Sequence, residues 1–161
     1  MYPTWIAGDG GPTIVLQSTA AALWDGTVTS TTDGTATDYD VICDVPAEGI
    51  HLIERHHRQM LVMSDSSWSC AFVKLDSGEI AVLQATSLEG EPQPYVQNLR
   101  QAPPDAVYEM RVDDPVLRLL VGADTGNGDV YGYDDCPIAP GQYQVRAYLT
   151  SQALVALLVL V

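Results

Sequence analysis

The apolar run ALVALLVLV at residues 153–161 constrains the fold of this sequence more than any other feature. A run of this length is too short to cross a bilayer as a helix, and one such strand does not form a membrane barrel by itself. An unbroken run of Ala, Val and Leu is instead typical of a strand that is covered on both faces. The run therefore predicts a central strand of a sheet with other elements packed on each side.

Further apolar segments come in pairs that are separated by a short polar interval, which is the pattern of an antiparallel hairpin. HLIER and QMLVM flank His56-His57-Arg58, and SCAFVKL and EIAVLQAT flank Asp76-Ser77-Gly78. Both intervals predict a tight turn between two strands. The remaining predicted strands are TIVLQ, AVYEMRV, PVLRLLVG and QYQVRAYL.

Two segments have helical features. TAAALW follows Ser18, which can cap a short helix, and residues 92–102 place apolar side chains at helical spacing before Pro103-Pro104. Residues 27–37 are rich in Thr, lack an apolar period and predict a loop. The sequence therefore predicts an α+β fold, a mostly antiparallel β-sheet with two short helices, in a single domain over residues 1–161.

The glycine-rich stretch WIAGDGGPTIVL, which begins at Trp5, predicts a turn rather than a phosphate-binding loop. A phosphate cradle needs free backbone N–H groups in front of a helix, whereas Pro12 has no N–H and is followed by a predicted strand. Asp9 adds a negative charge to the stretch, so an anion is not favoured there. Gly10-Gly11-Pro12 is therefore predicted to turn the chain into the first strand, and no cofactor is predicted.

The charge balance of the sequence limits the partners that it can bind. Asp and Glu number 21 against 7 Lys and Arg, which gives a formal net charge of −14 at pH 7. Such a surface repels nucleic acid and anionic membranes and attracts basic partners over long distances. The alternative is that the acidic surface reflects only genome composition or a salt-adapted host.

Patterns that would indicate catalysis or metal binding are weak in this sequence. Cys43, Cys70 and Cys136 are odd in number and widely spaced, which favours a reducing compartment over a disulfide framework or a zinc site. The sequence opens without a basic, apolar leader, so we expect a cytoplasmic protein. DTGNGD predicts a tight turn rather than a calcium loop, the His residues do not form H-E-x-x-H, and nothing brings a base to a nucleophile. We therefore predict neither catalytic residues nor a metal site.

An aromatic residue between carboxylates is the strongest candidate for a binding surface. Asp38-Tyr39-Asp40 is followed closely by Asp44. This combination suits a basic protein partner, because the ring offers contact area and a cation–π face while the carboxylates accept from Arg and Lys. Asp134 and Asp135 are a weaker candidate of the same kind. The alternative for the first cluster is a capping role, with Asp38 at a helix N-cap and Tyr39 packed inward.

The order of several short motifs resembles the immunity protein 21 family of bacterial polymorphic-toxin systems. Members of that family open with a tryptophan, a Gly-Gly-Pro-hydrophobic run and a short helix that ends in W-x-G. They continue with Y-D-x-x-C, a β-rich middle that contains another tryptophan, and a P-G-x-Y-x-V strand. The corresponding residues here are, in order, Trp5, Gly10-Gly11-Pro12 with Ile14 to Leu16, Trp24 and Gly26, Asp38-Tyr39-Asp40 with Cys43, Trp68, and Pro140-Gly141 with Tyr143 and Val145.

This resemblance implies an antitoxin without catalytic activity, which occludes a cognate toxin before the toxin damages its own producer. We expect that toxin to be the variable C-terminal domain of a large secreted protein encoded immediately upstream. A toxin that attacks nucleic acid has a basic cleft, onto which an acidic protein is steered electrostatically, so a basic nuclease domain is the expected partner.

The first acidic cluster gives this hypothesis a test. A double change, Asp38→Arg with Asp40→Arg, is expected to slow association with the toxin and to leave the fold intact. Two alternatives stay open from the residues alone: a carboxylate-dependent, metal-assisted hydrolase, and a small-ligand-binding β-domain without a toxin partner.

Overall fold

A computed structural model of the chain describes residues 3–8, 10–28, 36–65, 68–86, 88 and 90–161, with the backbone alone at residues 64 and 65. Asp9 and most of the loop predicted at residues 27–37 lie outside the described residues.

The described residues form ten strands and three short helices. The strands are β1 (Pro12–Gln17), β2 (Ile50–Arg55), β3 (Arg58–Asp65), β4 (Ser69–Lys74), β5 (Ile80–Ala85), β6 (Ala106–Val112), β7 (Val116–Val121), β8 (Tyr133–Pro137), β9 (Gly141–Leu149) and β10 (Ala153–Leu160). The helices are α1 (Ser18–Ala21), α2 (Asp38–Cys43) and α3 (Pro92–Leu99).

Two antiparallel sheets of five strands each pack face to face. The first sheet has the strand order β2-β3-β1-β7-β8, and the second has the order β4-β5-β10-β9-β6. Apolar side chains of both sheets fill the space between them, including Val15 and Met63 from the first sheet and Val82 and Ala156 from the second. This burial of apolar surface is the main source of stability. The α+β fold with a mostly antiparallel sheet, predicted from the sequence, is confirmed.

Helices cover the outer faces of both sheets. On the second sheet, Val96 of α3 packs against Leu83 and Leu157. On the first sheet, Trp24 after α1 and Ile42 of α2 pack against strand residues. The apolar run at residues 153–161 is confirmed as a central strand with both faces covered, because β10 lies between β5 and β9 and its residues 153–158 are buried.

The predicted turns are also present. His56 and His57 join β2 to β3 with φ angles of 53° and 61°, and Gly78 lies between β4 and β5 with a φ of 88°. Positive φ at two successive residues matches the right-handed twist of a hairpin. Gly10 has a φ of 95°, and β1 begins at Pro12, so this glycine stretch is a turn into a strand as predicted.

Two elements depart from the sequence prediction. The described residues contain three helices rather than two, because residues of low helix propensity form α2 once Thr37 caps it and Ile42 enters the core. The segment YDDCP is β8, an edge strand whose Cys136 is buried while Tyr133 and Asp135 are exposed. Within the described ranges, no helix is long and apolar enough to cross a membrane.

Candidate functional site

Helix α2 carries the first predicted cluster, and its N-terminus is fixed by a capping box. The Thr37 side chain accepts from the Asp40 N–H at 3.0 Å, and the Asp40 carboxylate accepts from the Thr37 N–H at 2.8 Å. The hydrogen bond from Thr37 holds the pKa of Asp40 below its usual value. The N-cap is therefore Thr37, and the alternative that placed Asp38 at the N-cap is wrong by one residue.

Asp38 is a buried anchor, with only 3% of its surface exposed. Its Oδ1 accepts from Arg55 Nε at 2.7 Å, and its Oδ2 lies 2.8 Å from His56 Nε2 and accepts from the Asp25 N–H at 2.9 Å. Burial raises the pKa of Asp38, but the hydrogen bonds from Asp25, His56 and Arg55 outweigh burial and the pKa lies below its usual value. Asp38 therefore stays charged and ties α2 to the β2–β3 turn.

The other members of the first cluster face different environments. Tyr39 is half-buried and packs against the apolar residues of α1, α2 and the first sheet, as the capping alternative predicted. Asp40 and Asp44 are exposed to solvent. The structure also changes one sequence-based expectation, because an arginine at the buried position of Asp38 would not leave the fold intact. We refer to Asp40 and Asp44 as the α2 surface.

Asp134 and Asp135 lie next to each other on β8 and face opposite ways, as strand residues do. Asp135 receives two hydrogen bonds from Arg118, with Nε at 2.7 Å from Oδ1 and Nη2 at 2.8 Å from Oδ2. The same guanidinium lies 3.8 Å from the ring centre of Tyr133. Asp134 is half-buried, and burial together with the charge of Asp135 raises its pKa.

The structure brings this pair to a cleft of about 520 Å³ at one edge of the sandwich. Edge strand β8 of the first sheet lies on one side of the cleft and edge strand β4 of the second sheet on the other, and the start of α3 borders it. Four carboxylates and one ammonium group line it: Asp76, Glu91, Asp134, Asp135 and Lys74. We call this feature the acidic cleft. Sequence reasoning missed Asp76 and Glu91, because they come from two different loops.

The loop at residues 122–132, together with Tyr133 at the start of β8, exposes three large hydrophobic side chains. Val130, Tyr131 and Tyr133 are 74%, 40% and 44% exposed. Asp124, which is buried, accepts from the N–H groups of Val130 and Tyr131 at 3.3 and 2.9 Å and so fixes these residues in place. The turn predicted at DTGNGD is present, and the exposed aromatic residues beyond it are a second signal that sequence reasoning missed.

One buried carboxylate and one buried thiol are occupied or protonated. Asp114 is buried and accepts from Thr19 N–H at 2.8 Å and Thr19 Oγ1 at 2.6 Å, so it serves the fold. Burial raises the pKa of the Cys70 thiol to about 11, and this thiol is therefore protonated at neutral pH. No group of three or more His, Cys, Asp or Glu side chains that could hold a metal ion occurs among the described residues.

Comparison with known proteins gives one match. The model of a protein family described as immunity protein 21 matches residues 4–153. No curated protein and no solved structure matches the chain.

Proposed function

The chain belongs to the immunity protein 21 family, and on that premise we propose that it neutralises a cognate secreted bacterial toxin by binding it stoichiometrically and covering its active site. The family description by itself implies an immunity protein. We further propose that the toxin is a basic nuclease domain, that the chain is cytoplasmic and that it has no catalytic activity.

The distribution of charge carries this proposal. Of the 7 cationic side chains in the sequence, five arginines each form an ion pair with an acid of the same chain. The pairs are Arg55 with Asp38, Arg58 with Asp114, Arg100 with Glu79, Arg111 with Asp113, and Arg118 with Asp135. Since so few cations offset the remaining acids, the long-range field of the molecule is negative and favours a positively charged partner.

Two surfaces are both acidic and accessible to a protein partner. The α2 surface presents Asp40 and Asp44 beside the half-buried Tyr39, with Asp38 holding the helix in position from below. The acidic cleft presents Asp134 and Asp135, and Tyr133, which precedes them on β8, is 44% exposed. Aromatic anchors surrounded by polar groups are typical of the energetically important part of a protein interface. We propose that the toxin contacts these surfaces.

Co-expression with the toxin domain encoded upstream tests the function. In a bacterial host we expect the toxin domain alone to stop growth, and the toxin domain with this chain to permit growth and to co-purify as a complex of fixed stoichiometry. As a control, the Glu109→Arg variant should permit growth as the unchanged chain does. Glu109 is exposed on β6, which lies at the opposite edge of the second sheet from β4. Growth arrest despite folded, abundant chain, or turnover of a substrate by this chain alone, would overturn the proposal.

A further inference from the structure

Strand β4 is an edge strand that is covered along only part of its length. It stands at one end of the second sheet, next to β5. Residue Ile6 forms an isolated antiparallel bridge to Cys70 on its outer side, with the Ile6 N–H donating to the Cys70 carbonyl at 2.8 Å and the Cys70 N–H donating to the Ile6 carbonyl at 2.9 Å. The backbone polar groups of Cys70 therefore point away from β5.

This bridge also indicates which other backbone N–H and C=O groups of β4 point away from β5. In an antiparallel pair, successive residues direct their N–H and C=O groups alternately toward the two sides of the strand. Phe72 and Lys74 therefore point theirs outward, as Cys70 does. In the part of the chain that the structure describes, no main-chain group pairs with this half of the edge. An open edge of this kind is a template for another strand.

The open half of β4 faces the acidic cleft. Phe72 and Lys74 line the cleft together with the four carboxylates named above. A second hollow of about 350 Å³, lined in part by Trp5, continues from the cleft, and both share Pro3, Glu91 and Pro92. We call the two adjoining hollows the groove, and its first part, the acidic cleft, lies beside the open half of β4.

We propose that the toxin inserts an extended, basic segment into this groove and adds it as a strand to the open half of β4. The inference rests on the proposed function and specifies how the partner is held. Main-chain hydrogen bonds to Phe72 and Lys74 would fix the segment, and alternate side chains of the segment would project toward the carboxylates. Those side chains are Lys or Arg, because the described lining of the cleft holds four acids and one ammonium group, that of Lys74.

The state of Asp134 agrees with this occupant. Its pKa is raised by burial and by the neighbouring charge of Asp135. A lysine or arginine that entered the cleft would relieve the repulsion between these two carboxylates and would gain a charge-assisted hydrogen bond in a partly desolvated place.

Hydrogen exchange of the complex tests the inference directly. The probe is the upstream toxin domain co-purified with this chain, compared with the free chain by amide hydrogen exchange. We expect the N–H groups of Phe72 and Lys74 to become protected in the complex. A complex that forms with these two amides still exchanging as in the free chain would overturn the inference and leave the proposed function standing. Absence of any complex would overturn both.

A pair of substitutions provides a second measurement. Lys74→Pro removes the outward N–H at an exposed edge position, where proline is tolerated, and Lys74→Ala removes only the side chain. We expect Lys74→Pro to raise the Kd for the toxin domain about tenfold relative to Lys74→Ala. Lys74→Ala should bind at least as tightly as the unchanged chain, because it removes a cation from the acidic cleft. Equal affinity of the two variants, with both folded by thermal unfolding, would contradict strand addition.

Discussion

The imidazole Nε2 of His56 lies 2.8 Å from the carboxylate Oδ2 of Asp38 and joins the β2–β3 turn to the first residue of α2. His56 has a φ of 53°, a left-handed conformation that few residues other than glycine adopt, and its ring meets Trp24 edge-on at 6.3 Å. The turn thus holds His56 in position for Asp38, and Asp38 in turn holds α2 against the first sheet.

Asp38→Asn should destabilise the protein, since a neutral amide replaces the buried carboxylate that accepts from Arg55, His56 and Asp25. We expect a loss of about 1–3 kcal/mol in the free energy of unfolding, measured by urea denaturation. Glu54→Gln on the exposed side of β2 is the matched control, with a change within about 0.5 kcal/mol. Equal losses in the two variants would show that Asp38 anchors nothing.

Stability should fall in acid through Asp38 and Asp114, whose pKa values lie below the usual 3.8. For both, burial raises the pKa and hydrogen bonds outweigh it, from Asp25, His56 and Arg55 at Asp38 and from Thr19 and Arg58 at Asp114. A lowered native pKa means that the unfolded chain binds protons more readily, so this stability is complete well above pH 3.8 and is lost as the pH falls through the native values. Urea midpoints measured from pH 7 to pH 2 give the dependence of stability on pH, which should be weaker in Asp38→Asn.

Asp134→Asn should have opposite effects on stability and on binding. Burial and the charge of Asp135 raise the pKa of Asp134, so its carboxylate costs stability at neutral pH and the cost disappears in acid below pH 3.8. Asp134→Asn should therefore raise the free energy of unfolding at pH 7 by at most about 1 kcal/mol, because solvent screens a half-buried group. Thermal unfolding measures the gain, and binding to the toxin domain measures the expected loss of affinity. A variant that is more stable and binds equally well would remove Asp134 from the interface.

Gly26→Ala should be more harmful than Gly78→Ala. Both glycines have a positive φ, at 58° and 88°, so alanine costs about 1–2 kcal/mol at either site from backbone strain. A Cβ at Gly26 would also lie 2.3 Å from the carbonyl oxygens of Ala123 and Asp124, whereas a Cβ at Gly78 meets open space. Overpacking should add about 1–3 kcal/mol at Gly26. Urea denaturation of both variants measures the difference, and similar losses would mean that the loop at residues 122–132 yields to the new methyl group.

Asp44→Arg should slow association with the toxin domain more than Glu109→Arg does. The two variants change the net charge equally at exposed positions, one at the end of α2 and one on β6. If the α2 surface faces the toxin, the association rate of Asp44→Arg should fall about three- to tenfold at low ionic strength. At high salt it should equal the rate of Glu109→Arg. Stopped-flow kinetics at two salt concentrations measure this. Equal slowing by both substitutions would mean that only the net charge of the chain affects the association rate.

Much of the strand content was predictable, because local pattern decides it. The apolar run at residues 153–161 and the turns at His56-His57 and Gly78 are all present as predicted. Strand β8 was not predictable in this way, since its acidic YDDCP segment resembles a turn and becomes a strand only by pairing with β7.

What the sequence by itself determined was a core built of strands, an acidic surface and the family to which the chain belongs. What only the tertiary structure decided was which acids are available to a partner. Asp38 and Asp40 stand two positions apart, yet one is buried against Arg55 and His56 and the other is exposed, because the partners of Asp38 come from a distant hairpin. Asp134 meets Asp76 and Glu91 for the same reason: the packing of two sheets brings separate loops to one cleft, and no local pattern records that meeting.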